Sequence, residues 1–466
     1  MAIVYILAIT VVSVVARKSG RTSEGFVRGV RTYPAAVIGL FLASEVIGTS
    51  SSVGTAQGGF DDGISAAWNL VALGLGFIAF AVFLASRFKK LDEVTISGAL
   101  EHCYGPGVRR AASITTTVAL MLVATACYAG GGAVLSSLLG VSSTWAVVIV
   151  GILASGYVAL GGMQSVIYTN LLNVVLKILS VVLVAVAAYR SAGGFGGVRL
   201  ALPPTMLDWD GVGWAQIGAW LIAGGGAMFA TQYVVQSMTA VESARKARTA
   251  SLYTSLILIP YGLLAALIGV FAAVAHPDVP SIQALPSMIV DMNPILAGIA
   301  ATGLLASVFG QLSALTIGSA TLVFKDFYLP YFNRDSDDAK SVRFIRIATV
   351  VCGLLPVVLA LFATDILTVA FLGKALRALL SVFVVLMFYR PGFGSREAAT
   401  WSVWIAAAAT ISWFLIGEPF GIDNAYVAIV VPLVIMGGAH VLRLGTKPRP
   451  VLVPEAGAEP VAERST

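Results

Sequence analysis

Apolar runs long enough to cross a bilayer recur from one end of the chain to the other. A hydrocarbon core of about 30 Å needs about 20 predominantly apolar residues in a helix. The pattern predicts an all-α polytopic membrane protein. We count thirteen spans, numbered here 0 to 12 in chain order: 2–16, 34–50, 64–86, 111–138, 144–160, 167–189, 214–238, 250–275, 294–324, 345–362, 367–388, 401–416 and 426–442.

The basic residues test this count, because short cytoplasmic loops carry an excess of lysine and arginine. With the N-terminus outside, the inner segments hold 24 of the 29 basic residues, and the outer loops hold only Arg190 and Arg199. The remaining three, Lys177, Lys374 and Arg377, lie inside predicted spans. The asymmetry predicts a multi-pass protein of the plasma membrane, with its N-terminus outside and its C-terminus in the cytoplasm.

Composition narrows the class further. The chain is 58% hydrophobic and 11% charged, a balance that excludes a soluble domain of this length. The net charge of +6 is therefore a topology signal rather than a nucleic-acid footprint. The positive charges follow span 0 instead of preceding it, so we predict an uncleaved first helix. The three histidines are scattered and the three cysteines match no metal motif, so we predict that the protein is not an enzyme.

Span 1 loses its helical character halfway across. Gly48 is followed by Thr49, Ser50 and Ser51, and glycine and serine both disfavour a helix interior. A membrane helix is interrupted only where protein or a water-filled cavity satisfies the freed backbone groups. The break, predicted at 46–52, therefore indicates a binding site near the midplane, with Glu45 one turn before it. The alternative is a short helix that ends at Gly48; either way, we expect a glycine-rich outer turn at 58–63.

A second break is predicted in span 6, at 223–228, where three glycines occur in a row. Two broken spans in corresponding halves of a chain point to a transporter site. Close packing against a neighbouring helix is the alternative role of such glycines, and the two roles are compatible. Around the two breaks, the predicted substrate-binding residues are Glu45, Thr49, Ser50, Ser51, Gly224, Gly225, Ala227 and Met228.

Several motifs resemble the sodium/solute symporter family. Around the end of span 4, the matching residues are Tyr157, Gly161, Gly162, Ser165, Val166 and Thr169, whereas Asn170 and Asn173 replace the family's aspartate and glutamine. In the first broken helix, the matching residues are Ala43, Ser44, Glu45, Val53, Gly54, Phe60 and Gly63. Residues 232–247 and 304–328, which close on Asp326 and Tyr328, also fit. Each motif alone is loose, but the set in this order is specific and covers nearly the whole chain.

The resemblance implies a transporter core of two inverted five-helix repeats, with spans 1 and 6 broken opposite each other. The repeats would occupy residues 34–190 and 213–389, joined by an extracellular loop at 191–212. The first span and a basic cytoplasmic loop, at 1–33, would precede them. Two C-terminal helices at 390–444 and a disordered cytoplasmic tail at 445–466 would follow.

The resemblance also implies a sodium site between spans 1 and 8. The positions that match the family's sodium-binding residues are Ser44, Ile47, Ser307, Gly310 and Gln311. Gly310 has no side-chain oxygen, Gln311 is bulkier than the family's hydroxyl residue, and Asn170 is neutral where the family has an aspartate. The predicted sodium site is therefore degenerate, because a hard cation needs such oxygens.

Lys177 is predicted to lie near this degenerate site. It follows Asn170 on span 5 by seven residues, about 10 Å deeper and on nearly the same helix face. A lysine at this depth costs roughly 2.5–3.5 kcal/mol on insertion scales, so we expect it to have a polar partner. Its ammonium can stand in for the metal ion, and burial lets a lysine release its proton near neutral pH. A snorkelling or purely structural lysine is the alternative.

Lys374 and Arg377 share one face of span 10, because they are three residues apart. We expect them to border the substrate cavity, where they bind an anionic solute or pair with Glu45. A span 10 that begins later, leaving both residues near the outer surface, is the alternative.

The sequence therefore predicts a secondary active transporter that couples sodium ions or protons to the symport of a small solute. The basic pair and the absence of aromatic and amide side chains at the span 6 break favour a carboxylate or an amino acid over a sugar. The alternative is a sodium-independent facilitator, exchanger or channel of the same fold. The expected partners are the solute and the lipid bilayer, with no cofactor beyond the coupling ion.

Overall fold

The computed structural model describes residues 1–16, 21–29, 33–333, 337–362 and 366–451. Within these ranges the regular elements are all helical, apart from one isolated bridge between Tyr33 and Val241. Most of the predicted tail, from residue 452 onward, lies outside the described residues. The α-helices are α1 Ala2–Ala16, α2 Ser23–Arg28, α3 Ala35–Val46, α4 Thr49–Asp62, α5 Trp68–Phe83, α6 Ala85–Leu91, α7 Ile96–Tyr104, α8 Pro106–Leu139, α9 Ser143–Ser191, α10 Gly194–Ala201, α11 Trp214–Trp220, α12 Gln232–Thr239, α13 Ala244–Ala275, α14 Ala284–Val290, α15 Pro294–Leu322, α16 Leu329–Phe332, α17 Asp338–Ala360, α18 Ile366–Tyr389, α19 Arg396–Leu415 and α20 Asn424–Val441.

Nine helical stretches in the described ranges are long and apolar enough to cross a membrane. Spans 4 and 5 form the single stretch α9, which bends at Gly162, where φ is +61°. Span 2 is continuous with the second half of span 1, whereas span 0 and the first half of span 1 are shorter apolar helices. The helical architecture is confirmed, whereas thirteen as the number of crossings stays a prediction.

The two halves of the core repeat the same set of contacts. Broken span 1 packs on span 5 through α3 and α9, and broken span 6 packs on span 10 through residues 226–229 and α18. Span 8 packs on span 5, and span 3 packs on span 10 in the same way. Span 7 packs on the second half of span 1, and span 2 packs on the first half of span 6. The first two pairs of contacts are equivalent in the two halves, as a five-plus-five repeat requires, whereas the third pair involves opposite halves of the two broken spans.

The break in span 1 is shorter than the sequence predicts. Only Ile47 and Gly48 separate α3 from α4, and α4 continues through Asp62, so the predicted turn at 58–63 is wrong. The reason lies in the hydroxyl side chains that follow the break. Ser51 Oγ donates to Val46 O at 2.8 Å, and Ser52 Oγ donates to Gly48 O at 2.9 Å. Val46 O and Gly48 O also accept from the backbone N–H groups of Gly48 and Ser52, both at 2.9 Å, so the serine hydroxyls add a second bond to each carbonyl beside the break.

The break in span 6 lies later than predicted. Residues 221–225 are wound as π-helix and 226–229 as 3₁₀-helix, and the chain leaves helical geometry only at Ala230 and Thr231. The glycines serve close packing, since a Cβ at Gly225 would lie 2.9 Å from Ala72 O of α5. Thr231 Oγ1 donates to Ala227 O at 2.7 Å, and the same carbonyl accepts from Ala230 N at 3.1 Å.

A polar network closes the end of the core that is predicted to face the cytoplasm. Asp326, which follows α15, is buried and accepts hydrogen bonds from Arg109 Nε at 3.0 Å, from Thr95 and from Ser97. Arg109 also donates to Glu101 at 2.6 Å. Spans 3 and 8 are therefore joined to α7 by one buried carboxylate.

Gln232 adds span 6 to this closure. Its Oε1 accepts from Ile96 N and its Nε2 donates to Val94 O, both at 3.0 Å. Hydrogen bonds thereby fix α7 and the residues just before it to spans 3, 6 and 8.

We expect Asp326→Asn to lower the thermal unfolding midpoint, because the substitution leaves the Arg109 guanidinium partly unpaired in a buried setting. Loss of one partner of a buried ion pair costs about 3–5 kcal/mol in general. Glu93→Gln is the control, since Glu93 pairs with His102 at the surface, where such pairs contribute about 0–1 kcal/mol. Equal midpoints for the two variants in detergent would contradict the role given to Asp326.

Candidate functional site

Lys177 lies at the break in span 1. Its side chain is fully buried, and its Nζ donates to Ser44 O at 2.6 Å and to Ser44 Oγ at 3.1 Å. Ser44 lies in the last turn of α3, where carbonyls lack intrahelical partners and the helix dipole favours a cation. The snorkelling alternative is therefore excluded. The ammonium donates to the carbonyl of Ser44, which is one of the oxygens that the family resemblance assigns to sodium.

Gly310 on span 8 makes room for this ammonium. A Cβ at position 310 would lie 2.5 Å from Lys177 Nζ and 2.7 Å from Asn170 Oδ1. Heavy atoms at 2.5 Å leave no space for a methyl group beside the charge. The absence of a side chain at Gly310 thus leaves the space that Lys177 Nζ occupies.

Asn170 connects the lysine to the buried carboxyl group of Glu45. Ser44 Oγ donates to Asn170 Oδ1 at 2.6 Å, and Asn170 Nδ2 donates to Glu45 Oε1 at 2.6 Å and to Ser313 Oγ at 3.1 Å. All of these groups are buried. Spans 1, 5 and 8 therefore meet in one continuous hydrogen-bonded network that carries one positive and one acidic side chain.

The same network reaches span 0 through two residues. Asn173 Nδ2 contacts Asn170 Oδ1 at 3.4 Å, and Asn173 Oδ1 accepts from Tyr5 OH at 2.8 Å. Tyr5 lines an apolar groove of about 340 Å³ between α1, α9 and α15.

Three polar atoms beside the break have no hydrogen-bond partner among the described residues, and all are buried: Glu45 Oε2, Ser50 Oγ and Gln311 Oε1. The Gln311 amide lies directly against Gly48, where a Cβ would overlap it. A buried acceptor without a donor is costly, so these atoms suit a ligand that brings its own N–H or O–H. Thr49, in contrast, already donates to Cys127 O at 3.1 Å.

Lys374 and Arg377 lie well inside α18, which begins at Ile366, so the alternative of a late-starting span 10 is wrong. Lys374 Nζ donates to Asn69 Oδ1 at 3.0 Å and lies 4.3 Å from the centroid of the Phe371 ring. Arg377 Nη1 donates to Thr231 Oγ1 at 3.3 Å, at the break in span 6.

These two cations have no carboxylate partner within 4.0 Å in the part of the chain that the structure describes, and both are buried. The predicted pairing with Glu45 is wrong, since Glu45 contacts Asn170 instead. Two buried cations without a counterion are costly in a low-dielectric interior. The arrangement therefore suits an anionic ligand.

The other predicted positions lie near the two breaks or against α5. Ile47, Ser307, Ala227 and Met228 are buried near the breaks, and Ser307 Oγ donates to Gly303 O at 3.2 Å. Gly224 faces Leu73 of α5. Their roles in binding solute or ion stay predictions.

Sequence reasoning missed three residues that hold the site together: Asn69, Thr231 and Tyr5. Asn69 is a lone amide in an otherwise apolar span, and this signal was available in the sequence. Thr231 lies just past the glycine triplet that the prediction placed at the break. Tyr5 carries no such signal, because tyrosine is common at the ends of membrane helices.

An all-helical membrane core with two broken helices beside buried charges defines the class of protein as a secondary transporter. The family model for the sodium:solute symporter family matches residues 26–406. The chain therefore belongs to the sodium:solute symporter family. It is a membrane transporter and not an enzyme, and it carries out cation-coupled symport of a small solute.

Similar proteins agree with this assignment. The high-affinity proline transporter PutP of Bacillus subtilis (strain 168) is 22% identical over 321 residues, which cover 65% of this chain and 67% of that protein. A substrate-bound, outward-open Na⁺-coupled sialic acid symporter has a TM-score of 0.82 at 15% identity and covers 97% of this chain and 98% of its own. A nucleobase-cation-symport-1 family transporter, closed on bromovinylhydantoin, has a TM-score of 0.60 at 12% identity, with 90% and 94% coverage.

We expect Gly310→Ala to destabilise the protein, because its methyl group would collide with Lys177 Nζ. Combining it with Lys177→Ala should recover part of the loss, and a coupling free energy of about 0.5–3 kcal/mol is typical of residues in contact. Gly156→Ala is the control, since no atom lies within 4 Å of its added Cβ. Additive effects of Gly310→Ala and Lys177→Ala on the unfolding midpoint would show that the two positions are independent.

Proposed function

We propose that this symporter couples the uptake of a small carboxylate or amino acid to protons, with the Lys177 ammonium in the place of a sodium ion. The observation that carries the proposal is the 2.6 Å hydrogen bond from Lys177 Nζ to Ser44 O at the break in span 1. A bound sodium ion and an ammonium at that carbonyl would repel each other strongly at such short range. The charged lysine therefore excludes sodium from this position.

The chemistry of the surrounding residues supports a proton as the coupling ion. Lys177 is fully buried, so its charged form is held by Ser44, by the helix dipole and by the nearby Glu45 carboxyl group. Loss of the proton removes the attraction between Lys177 and the end of α3. In this proposal, protonation favours the arrangement in which spans 1 and 5 are held together, and deprotonation releases it.

The charges on span 10 support the solute class. Lys374 and Arg377 are buried without a carboxylate partner in the described ranges, and Arg377 contacts the break in span 6. A carboxylate on the solute would neutralise this surplus of positive charge. Ser50 Oγ and Gln311 Oε1 at the other break are acceptors for a donor on the same solute. An amino acid provides both groups, and the similarity to a transporter of proline is consistent with it.

The predicted orientation completes the proposal. The excess of basic residues on one side supports a plasma-membrane protein whose N-terminus is outside. A proton gradient that is acidic outside would then drive uptake into the cell.

The coupling ion is tested in proteoliposomes with either a sodium gradient or a pH gradient imposed at fixed membrane potential. We expect uptake to follow the pH gradient, to be indifferent to sodium and to lose its pH dependence in Lys177→Ala. Lys340→Ala is the matched control, since Lys340 is exposed near the start of α17. Uptake that rises with sodium and is unaffected by Lys177→Ala would overturn the proposal. If the solute never accumulates inside above its external concentration under any imposed ion gradient, the result would instead favour a facilitator.

The solute class is tested by a thermal-shift and uptake screen in which each small carboxylate or amino acid is paired with its amide, for example L-proline with L-prolinamide. We expect the acids to bind and the amides to fail. Lys374→Gln and Arg377→Gln should each raise KM for the acid at least tenfold, since truncating a buried charge pair costs about 2–5 kcal/mol. Equal affinity of wild type and both variants for a neutral solute would contradict the anionic class.

A further inference from the structure

A polar pocket lies at the end of the helix bundle that is predicted to face the cytoplasm, and none of its lining residues belongs to the candidate transport site. It forms where α18 ends at Tyr389, α19 begins at Arg396 and α20 ends at Val441. Its volume is about 610 Å³, and its lining includes Gly392, Gly394, His440, Arg443 and Lys447. No aspartate or glutamate lines it. This is the size range of pockets that hold small ligands.

The charge at the pocket is positive and uncompensated. Arg443 and Lys447 form no ion pair among the described residues, and both are exposed. One carboxylate, Glu397, lies against the pocket-lining Gly445, and its oxygens accept from Thr446 N at 2.7 Å and from Thr446 Oγ1. Glu397 is thus engaged by Thr446, and among the described residues it forms no ion pair with Arg443 or Lys447.

Contacts of His440 with Phe393 and Gly394 hold one side of the pocket in place. The His440 ring stacks on Phe393 with centroids 4.6 Å apart, and its Nδ1 accepts from Gly394 N at 3.4 Å. With Nδ1 as the acceptor, the ring proton resides on Nε2, which is left as a donor. Arg443 is held with φ at +52°, a conformation that few non-glycine residues adopt. The basic groups are thus presented from a defined backbone rather than from a disordered end.

The rim of the pocket is apolar. Val441 and Leu444 line the pocket beside the basic residues and are 78% and 56% exposed, and their neighbour Leu442 is 68% exposed. Large apolar side chains beside cations at the end of a membrane helix are typical of the zone where headgroups meet acyl chains. Basic pockets between transmembrane helices on this side of a membrane bind anionic lipid headgroups.

We infer that this pocket binds a phosphate-bearing anion at the inner membrane surface, through Arg443, Lys447 and His440. The apolar rim indicates the headgroup of an anionic phospholipid as its source, and soluble phosphate offers the same chemistry. A ligand here would bridge α18 and α20 across the loop that joins α18 to α19. It would do so without touching the transport site, so the inference is independent of the coupling ion and of the solute.

The test uses the full-length protein in nanodiscs of phosphatidylcholine alone, of phosphatidylcholine with phosphatidylglycerol, and of phosphatidylcholine with millimolar inorganic phosphate in the buffer. The pocket variant is Arg443→Gln/Lys447→Gln. The matched control is Arg245→Gln/Arg343→Gln, which removes the same charge from exposed positions elsewhere on the same predicted side. The readouts are the thermal unfolding midpoint and the number of phosphatidylglycerol molecules retained in native mass spectra.

We expect phosphatidylglycerol to raise the midpoint of wild type and control by several degrees, and to raise that of the pocket variant by less than half as much. The pocket variant should also retain at least one lipid fewer. A rise with inorganic phosphate alone that the pocket variant loses would identify soluble phosphate as the source. The same response in the pocket variant and the control, or no response to either anion, would overturn the inference.

Discussion

The hydrogen bond between the Lys177 ammonium and Ser44 O is the contact on which the rest of the core depends. A buried cation in a membrane protein needs oxygens, and a regular helix has none to spare because its carbonyls are engaged. The interruption of span 1 after Val46 provides them. The charge also favours the interruption, since it lies at the negative end of α3. The lysine and the break therefore stabilise each other.

The second half of the molecule repeats this relation in a modified form. Spans 5 and 10 occupy equivalent places in the two repeats, and each brings a cation to the break of the first helix of its own repeat. In the first repeat the cation contacts a backbone carbonyl, whereas Arg377 in the second contacts the hydroxyl of Thr231. The first cation has the acidic Glu45 within its network, and the second has no acid in the described ranges. Only the cation of the second half therefore lacks an acidic group in its surroundings and suits an anion supplied by a ligand.

Much of this architecture could be predicted from the sequence, because its determinants are local. The length of the apolar runs and the basic loops predicted the spans, and glycine with serine inside a span predicted the broken helices. The depth of Lys177 in span 5 predicted that it is buried with a polar partner. The turn predicted at 58–63 was wrong because α4 resumes at Thr49 and continues through Asp62, and the hydroxyls of Ser51 and Ser52 reinforce its first turn. The span 6 break was placed too early because its glycines pack against α5 instead of unwinding. Contacts such as Lys374 with Asn69, 305 positions apart, depend on tertiary packing and leave no local pattern.

Attachment of the cation to the protein has a thermodynamic consequence. A free ion occupies a site in proportion to its concentration in the medium, whereas a side-chain ammonium is covalently tethered and its effective concentration at Ser44 is set by geometry alone. Occupancy of this position is then independent of external salt. If Lys177 couples transport to protons as proposed, the exchangeable part of this site is the proton on Nζ, and the pH of the medium rather than its sodium concentration sets the state of the site. A transporter of this kind would keep a cation at Ser44 at both low and high external sodium concentrations.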